Sequence, residues 1–217
     1  MTDLRKGKGG GRLKIKVVIW FLLGAACFIL SQPLTRLPIL AQLQQSTDFT
    51  LAYTLNPLII GIVIALSAGV FEEGARFLFK QFLLKPDKCV FMQPILFGLG
   101  HGIAEAAIIL VPALIAVPLS QLGLAFLERA LAITLHVTLT VVVWNGFQKN
   151  RRIYYLLAAV AIHGFVDTLI PILSPLSNSI LLIGSALAAV DVLMVIYAVH
   201  SRKYYIKRGN GNEKINV

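Results

Sequence analysis

The sequence predicts an all-α, polytopic membrane protein, a bundle of about six transmembrane helices with both termini in the cytoplasm. Of the 217 residues, 57% are apolar and 14% are charged, and the mean hydropathy is +0.79. This composition exceeds what a soluble domain of this length needs for its core. The chain also contains six apolar runs of roughly 20 residues, long enough to cross about 30 Å of hydrocarbon. The excess apolar surface is therefore expected to face lipid.

The six apolar runs define the predicted transmembrane helices. In chain order they are 15–32, 55–80, 91–118, 122–147, 153–173 and 178–200. The second and third contain charged residues and prolines, which make their boundaries less sharp. We expect a single transmembrane domain over 15–200, preceded by a basic cytoplasmic segment, 1–14, and followed by a basic cytoplasmic tail, 201–217.

The distribution of basic residues predicts the orientation of this bundle. Most of the 20 Lys and Arg residues precede the first helix, follow the sixth, or join helices 2 to 3 and 4 to 5. The other connections hold only Arg36. Because Lys and Arg near helix ends stay on the cytoplasmic side, both termini are expected there, in the cytoplasmic membrane of a prokaryote.

The formal net charge of +10 does not indicate a nucleic-acid partner. The cations lie where the topology requires them, and they are not interleaved with aromatic residues as a base-stacking surface would be. Membrane lipid is the partner that this charge predicts, and no nucleic acid is expected.

Four ionisable side chains lie deep inside predicted helices. Glu72, His101, His136 and His163 are each 12 or 13 residues from a basic residue of a cytoplasmic connection, namely Lys85, Lys88, Lys149 and Arg151. At 1.5 Å per residue they lie roughly 18 to 20 Å into the membrane. An ionisable group at the bilayer centre costs about 2.5 to 3.5 kcal/mol on insertion scales, so four at one level predict a functional polar site rather than polar contacts that only join helices.

Charged partners follow these residues at helical spacing. Glu73 lies three residues before Arg76 and can share it, and Arg129 lies two turns before His136. Residues four apart project from one helix face. The pairs at this spacing are Glu72 with Arg76, His101 with Glu105, and His163 with Asp167.

Carboxylates and histidines in a membrane cavity are suited to activating water for peptide-bond hydrolysis. A glutamate can accept the proton of the water while a histidine orients or polarises the reactants. Alternatively, three neutral imidazoles can bind Zn²⁺ and leave a fourth position for water. His101, His136 and His163 would then be the ligands, with Glu72 or Glu105 as the base. The sequence contains no HExxH motif, so the zinc prediction depends on matched depth alone.

Two other functions would use a similar cavity. A proton-coupled transporter or permease component lines a midplane cavity with the same residue types. A non-catalytic scaffold that binds a transmembrane helix of a partner protein needs the cavity but no base. No repeat relates helices 1–3 to helices 4–6, and we therefore favour a hydrolase acting on a peptide or membrane-protein substrate.

Three short motifs in helices 2 to 5 resemble a known superfamily. Glu72 to Arg76 resembles its EExxR motif, Phe97 to His101 its FxxxH motif, and His163 to Asp167 its HxxxD motif. They occur in the order found in the CAAX-prenyl protease and bacteriocin-processing superfamily of intramembrane peptidases. The most similar branch is that of the YhfC intramembrane metalloproteases, followed by the PrsW peptidases.

The resemblance implies roles for the motif residues. Glu72 would activate the water, His101, His163 and Asp167 would help to hold the water or the oxyanion, and Arg76 would orient the glutamate pair. The segment around Glu105 and the segment from Glu128 to His136 are similar to the YhfC branch. The chain departs from the prenyl-protease pattern, which commonly has Asn at the position of Asp167 and one more residue between the glutamate pair and the arginine.

Overall fold

The computed structural model describes residues 7–84 and 87–206, with side chains from residue 17 onward. These residues are almost entirely helical, and no strand occurs among them. Of the predicted terminal segments, 1–14 and 201–217, residues 1–6 and 207–217 lie outside the described residues. The all-α prediction is confirmed.

The described residues form eight α-helices. They are α1 (Gly7–Ser31), α2 (Leu37–Gln44), α3 (Thr47–Leu55), α4 (Pro57–Leu78), α5 (Met92–Ala116), α6 (Gly123–Gln148), α7 (Arg152–Leu173) and α8 (Ser179–Ser201). Two π-helical turns, Gln32–Arg36 and Phe79–Leu83, extend α1 and α4. Two short 3₁₀ helices, Leu119–Gln121 and Arg202–Tyr204, precede α6 and follow α8.

Six helical stretches of the described chain are long and apolar enough to cross a membrane, as predicted. They are Val17–Gln44, Pro57–Leu83, Met92–Ala116, Gly123–Gln148, Arg152–Leu173 and Ser179–Tyr204. The first continues beyond its predicted end at residue 32, through the π-helical turn and into α2. Pro33 and Pro38 are the second residues of these two segments, within the first turn, where a missing N–H is tolerated.

Glycines allow the helices around the polar residues to pack backbone against backbone. A Cβ atom at Gly24 of α1 would lie 1.9 Å from the carbonyl oxygen of Phe97 in α5, and one at Gly100 would lie 1.9 Å from that of Phe21 in α1. On the other side of the bundle, Gly69 of α4 approaches the backbone of α7 in a similar way. Only residues without a side chain permit such contacts, which bring α1, α5, α4 and α7 close together.

The apolar core lies towards the end of the bundle that carries the connections 84–91 and 149–151. Phe97, Trp144 and Phe147 are fully buried there, and the Lys80 ammonium lies 4.7 Å from the ring centroid of Trp144. Arg152 closes this end by donating a hydrogen bond of 2.6 Å to Asp87. This end is therefore densely packed.

Candidate active site in the membrane

The predicted site residues meet between α4, α5, α6 and α7. Each helix presents its ionisable residues to the same region of the bundle interior, where the side chains are linked by hydrogen bonds and ion pairs. The residues are Glu72, Glu73 and Arg76 of α4, His101 and Glu105 of α5, His136 of α6, and His163 and Asp167 of α7.

Glu72 is the most highly connected carboxylate of this cluster. His101 Nε2 lies 2.8 Å from its Oε2, and the side-chain amide of Gln32 donates a hydrogen bond of 2.6 Å to its Oε1. Arg76 Nη2 and His136 Nδ1 lie 3.5 and 3.7 Å from the same Oε2. Glu72 is almost completely buried, so these polar groups replace the water that a carboxylate requires.

Glu73 is held on the other side of α4. Arg76 donates a short hydrogen bond to Glu73 Oε1, and His163 Nδ1 lies 2.8 Å from the same oxygen. His163 Nε2 lies 3.6 Å from Asp167 Oδ2, which is an ion-pair distance but longer than a hydrogen bond. Arg76 also contacts His136 Nδ1 at 2.7 Å and so connects the two halves of the cluster.

Glu105 joins the cluster across the helix interface and not through its own helix. The i,i+4 spacing placed it with His101, but its Oε2 contacts His136 Nε2 on α6 in a short ion pair. Arg129 Nη1 donates a hydrogen bond of 2.9 Å to Glu105 Oε1 and is itself paired with Glu128. Helix packing thus decides the partner of Glu105.

The three histidine rings lie side by side. The ring centroids of His101 and His136 are 5.1 Å apart, and those of His136 and His163 are 5.4 Å apart. Among the described residues, the group that could hold a metal ion consists of Glu72, His101 and His136, whose ligand atoms all lie within 4.8 Å of one another. This differs from the predicted three-histidine set, since the His163 nitrogens face Glu73 and Asp167.

One carboxylate and two imidazoles fit a zinc ion by their chemistry, and they are the donor types of known metallopeptidase sites. Glu105 lies behind His136, and Gln32 lies behind Glu72, as the supporting partners of metal ligands commonly do. Arg76 contacts the same nitrogen of His136 that faces Glu72, so its guanidinium would have to withdraw towards Glu73 when a metal binds.

The charges of the described cluster also favour a cation. With neutral histidines, its carboxylates exceed its guanidinium groups by two negative charges. A divalent ion would offset this excess in a medium where unbalanced charge is costly. The carboxylates are Glu72, Glu73, Glu105, Glu128 and Asp167, and the guanidinium groups are those of Arg36, Arg76 and Arg129.

Two residues of the cluster were missed in the sequence. Gln32 and Arg36 are buried in the π-helical turn that follows α1, and Arg36 Nη1 donates a hydrogen bond of 3.0 Å to Gln32 Oε1. Arg36 is fixed in turn by Ser67 Oγ at 2.9 Å and the Ile64 carbonyl oxygen at 2.7 Å. The one signal was Arg36 itself, the single basic residue in connections that otherwise lack one.

The chain matches a known protein family. Residues 11–119 and 107–190 match the family described as YhfC intramembrane metalloprotease, a range that contains every residue of the cluster. The chain belongs to the YhfC family. A YhfC relative, the "Uncharacterized membrane protein YhfC" of Bacillus subtilis (strain 168), is 33% identical over 104 residues.

That match covers 48% of this chain and 38% of the relative, so the chain spans well under half of the length of the curated YhfC protein that it matches. No solved structure matches the chain. Six apolar helices and a relative described as a membrane protein together identify this YhfC-family chain as an integral membrane protein in contact with lipid.

Proposed function

We propose that this chain is an intramembrane peptidase of the cytoplasmic membrane, related to the CAAX-prenyl protease and PrsW enzymes, that hydrolyses peptide bonds of a peptide or membrane-protein substrate. The observation that carries the proposal is the position of Glu72, a buried carboxylate hydrogen-bonded to His101 and Gln32 where α4, α5 and α6 meet. Burying a charged group in a membrane costs free energy, so a charged group that is retained there is expected to have a function. The YhfC family description supports the same reading.

In this mechanism Glu72 accepts a proton from a water molecule whose oxygen attacks the carbonyl carbon of the substrate. The carbon–nitrogen bond of the resulting tetrahedral intermediate breaks, and Glu72 returns the proton to the departing nitrogen. One water is consumed, and a carboxyl group and an amine are produced. His101, at 2.8 Å from Glu72, orients the carboxylate and the water.

The remaining residues stabilise the negative charge that develops on the carbonyl oxygen. His163 is held through Nδ1 by Glu73, while its Nε2 is too far from Asp167 for a hydrogen bond. When both ring nitrogens carry a proton, Nε2–H can donate to the oxyanion. Arg76 keeps Glu73 in place and adds a fixed positive charge beside Glu72. Removal of one such donor typically lowers kcat by about 100- to 1000-fold.

A zinc ion would be held by Glu72, His101 and His136, and it would supply a Lewis acid and an activated water. Glu72 would then be a zinc ligand, and Glu73 would accept the proton that the water gives up. Its Oε2 is buried and has no hydrogen-bond partner among the described residues. In either case loss of the Glu72 carboxylate abolishes turnover.

The test is to map new protein N-termini by mass spectrometry in membranes that contain the wild-type protein or the Glu72→Gln variant. The wild type is expected to create cleavage sites near the ends of transmembrane segments, and Glu72→Gln is expected to create none. Glu128→Gln is the control, since this carboxylate is more exposed and lies at the edge of the cluster. Equal cleavage by wild type and Glu72→Gln would exclude the proposed mechanism.

A further inference from the structure

The environment of the site is different on its two sides along α5. Glu105 lies four residues after His101, towards the connection 117–122, and its side chain is 18% exposed. Phe97 lies four residues before His101, towards the connection 84–91, and is completely buried. A residue one turn away from the histidine is thus polar and accessible on one side, and apolar and inaccessible on the other.

The same difference occurs on the two neighbouring helices. On α6, Arg129 and Val143 lie seven residues to either side of the histidine, and their exposed fractions are 13% for the Arg129 side chain and 0% for Val143. On α7, Asp167 and Ala159 lie four residues to either side, with 28% for the Asp167 side chain and 0% for Ala159. In each pair the accessible polar residue is nearer the end formed by connections 45–56, 117–122 and 174–178.

The opposite end is closed by packed aromatic side chains. The rings of Phe97 and Trp144 have centroids 5.7 Å apart, and the ring of Phe147 is fully buried beside them. At the same end, Lys88 donates a hydrogen bond of 2.7 Å to the Gln148 carbonyl oxygen, which holds the described part of the connection, 87–91, against α6. A polypeptide could pass this end only after this core had been unpacked.

We infer that the site opens towards connections 45–56, 117–122 and 174–178, and that its substrate is a membrane-protein segment that approaches from that side and is unwound there. These three connections contain no Lys or Arg, the residues that mark the cytoplasmic side, so this side is extracytoplasmic. The identity of the substrate as a protein segment rests on the proposed function. The end at which the site opens rests on the exposed and buried pairs, and the assignment of that end to the extracytoplasmic side rests on the distribution of Lys and Arg.

Cysteine labelling tests the direction without any turnover. In a background with Cys27→Ala and Cys89→Ala, single cysteines replace Asp167, Arg129 and Glu105, and matched cysteines replace Ala159, Val143 and Phe97. A membrane-impermeant sulfonated maleimide is applied to right-side-out spheroplasts and to inside-out vesicles. Each variant is also labelled after denaturation, which shows that its cysteine can react. Its monodispersity in detergent is measured, so that only folded variants are compared.

The cysteines at 167, 129 and 105 are expected to react in spheroplasts at least about ten times faster than their matched partners, and to react slowly in inside-out vesicles. Faster labelling at 159, 143 and 97, or labelling of all six only in inside-out vesicles, would overturn the inference. Because no cleavage is measured, either result leaves the peptidase proposal to be decided by the Glu72→Gln experiment. Conversely, a chain without peptidase activity would show the same labelling.

Discussion

Gln32 supplies the contact that distinguishes Glu72 from the other buried carboxylates. Its side-chain amide donates a hydrogen bond to Glu72 Oε1, and its side-chain oxygen accepts one from Arg36. Gln32 therefore links the Glu72 carboxylate to the guanidinium group of Arg36. It is a positioning residue in the proposed mechanism. Its side chain is neutral and therefore gave no charge signal in the sequence, and the predicted first helix ended at this residue.

Gln32→Ala is expected to lower turnover by roughly 10- to 100-fold, because a hydrogen bond to a charged group contributes about 1.5 to 3 kcal/mol. The rate of terminus formation in membranes measures this loss. Gln42→Ala, an exposed glutamine of α2, is the matched control and should retain wild-type activity. Equal activity in the two variants would show that Gln32 does not position Glu72.

Glu105 and Glu128 provide a second comparison, because both contact Arg129 and only Glu105 also contacts His136. Glu105→Gln removes the carboxylate that orients this imidazole, so turnover should fall about 10- to 100-fold. Glu128→Gln removes a more exposed partner and should change turnover less than twofold. A larger loss in Glu128→Gln than in Glu105→Gln would contradict the contacts described.

Cys89 tests the packing of the connection 84–91. Burial raises the pKa of its thiol to about 11, and Gln148 donates a hydrogen bond of 3.3 Å to its sulfur. Since the thiolate is the reactive form, native protein should react slowly with N-ethylmaleimide at pH 7.5 and faster as the pH rises towards 11. The raised pKa also means that this thiol lowers stability as the pH rises above about 9. Rapid alkylation of native protein at pH 7.5 would indicate that the connection is open.

Among the helices, α1 and α5 depend most strongly on glycine. The sequence predicted both spans from apolar length alone. It did not predict that Gly24 and Gly100 each face a carbonyl oxygen of the neighbouring helix, because pairing between helices is decided by tertiary packing. The π-helical extension of α1 was missed for the same reason.

Gly100→Ala is expected to lower the melting temperature in detergent by about 5 °C, since overpacking costs roughly 1 to 3 kcal/mol. The matched control is Gly184→Ala in α8, where a Cβ would have nothing within 4 Å. This control should be neutral or slightly stabilising. If both variants melt at the same temperature, α1 and α5 are not packed as described.

The architecture of the whole molecule follows from two sequence patterns, the six apolar runs and the distribution of Lys and Arg. The runs are confirmed as helices, whereas the cytoplasmic position of both termini stays a prediction. If the C-terminus is cytoplasmic, a fluorescent protein fused after Val217 should fluoresce, and alkaline phosphatase fused at the same position should be inactive. The reverse pair of results would invert the topology.

The residues of the site were predictable because an ionisable group in a membrane is costly and is therefore rare in a transmembrane helix. Depth and i,i+4 spacing selected residues that do meet, because a bundle of six helices has a single interior to receive them. The pairing among them was not predictable. Glu105 pairs with His136, and the ring nitrogens of His163 face Glu73 and Asp167, because rotation and packing of the helices decide which atoms face each other.

The central claim about the metal is that Glu72, His101 and His136, rather than the three histidines, bind a zinc ion. It is tested most directly by the zinc content of purified protein in detergent. We expect about one zinc per chain, lost in Glu72→Gln, His101→Ala and His136→Ala but retained in His163→Ala. Protein without zinc, or equal loss in His163→Ala, would contradict the claim.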